Sequence, residues 1–166
     1  MSNSIICTPI VKKFTMLASL LLPATLYAAD YEAGHQALEL WNDEAKANVP
    51  EAVKIWLTVM MVTFVSGLIF VWKHVPARWV VGGVLLSVGG GGLIAEALGL
   101  VVLSGYVALL HLIFWSPGLF FLIRERAISK GVSLYSVWAA VTTLVIIVSF
   151  FFDIRDASIY LKHMLA

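Results

Sequence analysis

Between Val53 and Phe152 the chain runs through long stretches with almost no charge, and its acidic and basic residues collect in short connections. Of 166 residues, 61% are hydrophobic and only 13% are charged, where a soluble domain carries about 25%. Stretches this long and apolar suit lipid as the solvent. There every backbone N–H and C=O must be satisfied within the segment, so each reads as a helix.

Four spans follow. The first is Val53–Trp72, opened by Asn48 as a cap, Pro50 in the first turn and Glu51 three residues after Asn48. Trp56 and Trp72 bracket it as interfacial aromatics do. Lys73 to Arg78 is a short turn, in which Pro76 disfavours helical geometry at Val75 and can start the next helix. The second span is Trp79–Leu103, and Ser104-Gly105 predicts a tight turn. The third, Tyr106–Ile123, contains Pro117, which predicts a kink and a freed carbonyl near residue 113. A polar loop from Arg124 to Ser133 leads to the fourth, Leu134–Phe152. The expected fold class is all-α: an integral membrane four-helix bundle with periplasmic amphipathic helices at both ends of the mature chain.

Both ends of the chain carry their own signals. Residues 1–28 resemble an export signal in layout: Lys12 and Lys13, an apolar core from Phe14 to Leu22, Pro23, and small residues that place cleavage after Ala28. Lys73 and Arg78 share one side of a four-span bundle with Arg124, Arg126 and Lys130, and positive loops stay cytoplasmic. The two signals agree on a bacterial inner-membrane protein whose mature ends are periplasmic, and an uncleaved anchor gives the same topology. Residues 29–52 hold six acids with Gly34, Leu38, Trp41 and Ala45 at helical spacing; residues 153–166 repeat the pattern through Ile154, Ala157, Leu161 and Leu165. Acidic amphipathic segments are not drawn to anionic lipid, so these are expected to cap the bundle or to serve as partner-binding arms.

Inside the second span stands Glu96. A charge near the bilayer centre costs at least about 2.5–3.5 kcal/mol, so such a residue has a partner or a task. Counted from a turn at Ser104-Gly105, Glu96 and His111 fall at one depth, about 10–13 Å below the outer turn. A Glu96–His111 pair is therefore the candidate site, either as a polar clasp that fixes helix pairing or as a proton- or ligand-binding site. Gly83, Ser87, Gly91, Ala95 and Gly99 recur every four residues, a spacing that lets another helix approach closely, within the bundle or from a partner. Gly89, Gly90 and Gly92 either lie in a tilted helix or break it near the midplane.

Other chemistries find no support. Cys7 is the only cysteine and precedes the apolar core, so a cleaved chain has none for disulfides, thiolate metal sites or cysteine catalysis. His111 is the only deep histidine, with His74 and His163 at the edges and His35 outside, so neither haem nor any metal is expected and the cofactor expectation is none. There is no basic tract for nucleic acid and no catalytic or nucleotide-binding motif. The expected role is a small accessory or scaffold subunit of a membrane assembly, with the lipid bilayer, other membrane subunits or further copies of itself as partners. The alternative is a small oligomeric transporter or proton-coupled protein built on Glu96 and His111.

Overall fold

A computed structural model describes residues 36–43, 50–126 and 131–166. The expected export signal with Cys7, the expected cap at Asn48, His35 and Lys130 lie outside the described residues. The described residues form five α-helices: α1 (Glu51–Ser66), α2 (Val75–Leu85), α3 (Gly91–Leu98), α4 (Ser104–Glu125) and α5 (Leu134–Leu165). Four continuous helical segments result, because α1 runs on through a 3-10 turn to Ile69 and α2 joins α3 through Leu86–Gly90. They contain 19, 24, 22 and 32 residues. At ~1.5 Å per residue even the shortest spans about 28 Å, close to the ~30 Å of a hydrocarbon core.

The second span ends earlier than the sequence suggests. Gly99 takes a left-handed conformation (φ 64°). Its N–H donates to the Glu96 carbonyl at 3.1 Å, and the Leu100 N–H donates to the Ala95 carbonyl at 2.8 Å. That is a Schellman stop, which glycine alone enters without strain. The helix therefore closes at Leu98, and Gly99 caps it rather than continuing the small-residue face. Ser104 and Gly105 begin α4 instead of forming the turn.

The glycine run does not unwind. Leu86–Gly90 widens into a single π turn and the α-helix resumes at Gly91. A π turn keeps the helix continuous while shifting the register of the side chains on either side. Pro117 likewise sits inside an uninterrupted α4, where the Ser116 hydroxyl donates to the Leu112 carbonyl.

The ends depart from the expected amphipathic helices. Residues 153–166 do not form a separate surface helix but continue α5, which has no glycine or proline to stop it. At about 48 Å, α5 exceeds the hydrocarbon thickness of about 30 Å by about three turns of rise. Of the amino-terminal segment, Gln36–Leu38 is one 3-10 turn and Leu40 forms an antiparallel bridge with Leu103. The Trp41 N–H donates to the Val102 carbonyl and the Ser104 N–H to the Glu39 carbonyl, each at 3.0 Å. Ala37 is fully buried, and a Cβ on Gly105 would lie 2.6 Å from Tyr160 Cβ and 3.0 Å from the Ala37 carbonyl oxygen. This strap therefore closes over the start of α4 and the far end of α5.

α4 is the centre of the bundle, packed on α2 and α5. The four-residue stripe faces it. A Cβ on Gly83 would fall on the Phe114 carbonyl oxygen, and one on Gly91 would lie 2.5 Å from Leu110 Cδ1. Ser87 and Ala95 are buried on the same side. Gly118 of α4 answers with a close approach to the Val80 backbone. Packing of this kind drives helix association where lipid removes any hydrophobic gain between helices. α1 is held less closely. Its main ties are Phe64, edge-on to Trp115 at 4.9 Å, and the Trp138 indole N–H, which donates to the Thr63 carbonyl at 2.9 Å. Of its apolar window 22% is buried, against 39% for α4.

Where α1 meets α2, Arg78 donates from Nε to the Val71 carbonyl at 2.7 Å and from Nη2 to the Trp72 carbonyl at 3.0 Å. These satisfy carbonyls that the end of a helix leaves without partners. Next to them, His74 stacks on Tyr135 at 3.4 Å and 10°. The Tyr135 hydroxyl donates to Glu125 Oε2 at 2.8 Å, and Glu125 Oε1 lies 3.8 Å from His74 Nδ1. This cluster staples the α1–α2 turn to the end of α4 and the start of α5.

Candidate functional site

His111 is brought to Asp153, not to Glu96. Its Nδ1 lies 3.3 Å from Asp153 Oδ2, with side chains 18% and 15% exposed. Oδ2 is buried and accepts no aligned hydrogen bond among the described residues, so the contact becomes an ion pair only when the imidazole is protonated. Glu96 is exposed on the outer surface of α3. The cause is the Schellman stop. Glu96 stands two residues from the end of α3 and His111 seven residues into α4. Their depths then differ by about 7 Å instead of matching.

The imidazole is fixed from its other side. It stacks on the Trp115 indole at 4.0 Å and 18°. Trp115 is 2% exposed, and its Nε1–H donates to Ser87 Oγ at 2.9 Å. Ser87 lies in the π turn and itself donates to the Val84 carbonyl at 3.0 Å. The same region supplies the Gly91 carbonyl, which accepts from the Tyr106 hydroxyl at 3.0 Å. The glycine-rich stretch thus acts through Trp115: it holds the indole, and the indole carries His111. Such a second tier of contacts is what keeps a polar group in one orientation.

The pair lines an open cleft of about 420 Å³ between α1, α4 and α5. Its walls are Ala52, Val53, Trp56, Leu57 and Met60 from α1 with Val148, Ser149 and Phe152 from α5. The Ser149 hydroxyl donates to Met60 Sδ at 3.5 Å, so the walls offer little further hydrogen bonding. On the other flank of α1 a smaller cleft of about 260 Å³ is lined by Met61, Val65, Val81, Val88, Gly89 and other apolar residues. Among the described residues no group of three or more His, Cys, Asp or Glu is arranged to hold a metal ion.

The sequence pattern places Asp153 at the start of a tail beyond the fourth span, and so hides it from the site. The available signal was the lack of any helix breaker from Leu134 to Leu165, which carries Asp153 into the same helix as the fourth span.

The class of protein is set by these elements: four apolar helices, each long enough to cross a bilayer, make the chain a small multi-pass membrane protein. Comparison with protein-family models, with curated proteins and with solved structures matched none of them.

Proposed function

We propose that the chain is a small accessory or scaffold subunit of a membrane assembly, seated in a bacterial inner membrane with its mature ends in the periplasm. The observation that carries this reading is a second glycine face. Gly83 and Gly91 are used up against α4, whereas Gly82, Gly89 and Gly92 have nothing within 4 Å of where a Cβ would stand. Gly89 also borders the apolar cleft beside α1. Small residues next to a shallow groove admit a further helix at close range, which is how helices associate in lipid. The partner is another membrane subunit or a second copy of this chain, and the remaining apolar surface meets the bilayer.

Gly89→Leu combined with Gly92→Leu tests this. A Cβ at either position meets no neighbour within 4 Å, and leucine is a better helix former than glycine. The variant is expected to fold as well as the parent. In affinity purification from gently solubilised native membranes, the parent is expected to bring a membrane partner or a second copy, and the variant to lose it. A parent that runs alone, or a variant that keeps its partner, sinks the reading. A second reading, a small oligomeric transporter or proton-coupled protein, is favoured by the His111–Asp153 pair at the membrane-facing cleft. It requires a flux that Asp153→Asn abolishes while assembly survives.

A further inference from the structure

We infer that the cleft between α1, α4 and α5 binds an uncharged single-chain amphiphile. Its head would hydrogen-bond to the His111–Asp153 pair, and its chain would lie along Leu57 and Met60. This goes beyond the scaffold role and does not depend on it.

Three features of the cleft carry the inference. The first is the combination of one polar pair with apolar walls. His111 and Asp153 line the cleft together, and Oδ2 of Asp153 accepts no hydrogen bond among the described residues. A buried carboxylate oxygen without a hydrogen-bond donor is costly, and a ligand head that supplies one relieves that cost. The second is depth. Met60 meets Ser149 through the 3.5 Å sulfur contact, and Asp153 stands one turn along α5 from Ser149, toward the α1 end that bears Ala52 and Val53. The polar pair is therefore about 6 Å nearer the outer end of the span than the Met60 level. An amphiphile in a leaflet is ordered in the same way, head outward and chain inward. The third is size: about 420 Å³ lies within the range of small-molecule sites, about 300–1,000 Å³.

The charge of the head follows from the pair. An anionic head would stand beside Asp153, and a cationic head would compete with His111 for it. A hydroxyl head does neither, and it carries the donor that Oδ2 lacks. The other cleft beside α1 has no polar group at its end, and the His74–Tyr135–Glu125 cluster closes on itself, so neither offers the same combination.

The test uses the full chain in nanodiscs with three probes of equal chain length, each bearing a mid-chain diazirine: a fatty alcohol, a fatty acid and an alkane. After irradiation, labelled peptides are mapped by mass spectrometry. The alcohol is expected to label residues 52–60 and 148–152 above the other two probes at neutral pH. His111→Leu combined with Asp153→Leu replaces the pair by apolar side chains, a change that buried ion pairs often tolerate. It is expected to lower alcohol labelling there about fivefold or more, the loss of one hydrogen bond to a charged group. Ala52→Trp, which fills the mouth without touching the pair, is expected to lower it equally. Both variants must elute as the parent does; if the double variant misfolds, Ala52→Trp alone decides. Equal labelling by all three probes, preference for the acid, labelling spread evenly over Met61 to Gly89, or labelling unaffected by Ala52→Trp overturns the inference. So does a cleft that labels with no probe because a partner's helix fills it.

Discussion

Gly83→Leu is expected to part α2 from α4 and to cost about 3 kcal/mol or more, while Gly82→Ala one residue away is expected to gain about 0.5–1 kcal/mol. The two glycines are neighbours in sequence and opposites in surroundings. A Cβ on Gly83 would fall on the backbone oxygen of Phe114, which is part of α4 and has no rotamer by which to retreat. A Cβ on Gly82 meets nothing within 4 Å. The first substitution must push two helices apart and forfeit the packing along Ser87, Gly91 and Ala95. The second only removes the freedom of glycine in the unfolded chain. Thermal unfolding in detergent, followed by circular dichroism, reads both. Equal melting temperatures for the two variants would mean that α2 does not lie against α4 at this point.

Trp115→Ala is expected to cost about 3–5 kcal/mol, the usual penalty for emptying a site of this size in a packed core. The indole is nearly inaccessible, meets Phe64 edge-on and His111 face-on, and donates to Ser87. Trp115→Phe keeps most of the volume and removes the donor. It leaves the Ser87 hydroxyl without that partner and is expected to cost about 1–3 kcal/mol. The pair of variants separates packing from hydrogen bonding at one position. Unfolding by SDS in mixed micelles measures both, and a Trp115→Phe variant as damaged as Trp115→Ala would show that the bond to Ser87, not ring packing, holds the site together.

Much of this architecture is written in residue patterns that operate locally. The four spans are visible because lipid demands unbroken apolar runs, and the four-residue recurrence of Gly83, Ser87, Gly91 and Ala95 marks a face whatever helix it meets. What could not be seen is how far each helix runs. Gly99 was counted as one more small residue on a face, yet its left-handed backbone ends the helix. That displacement alone moved Glu96 away from the level of His111. Asp153 was assigned to a tail on charge, although nothing after Phe152 can stop a helix. Rotation about the axis was equally hidden: which of the clustered glycines would turn toward α4, and which away, depends on the register shift of the π turn at Leu86–Gly90. No periodicity announces that shift.

The strap over Gly105 imposes an order on how the molecule is completed. Ala37 precedes the four described spans, Gly105 opens α4, and Tyr160 stands near the close of α5, yet the three meet at one point. A ribosome delivers them in that order. The earliest of the three therefore waits, without its final neighbours, until Tyr160 has been made. Only then does Ala37 find its seat, so of these three residues the one synthesised first is among the last to be locked in place.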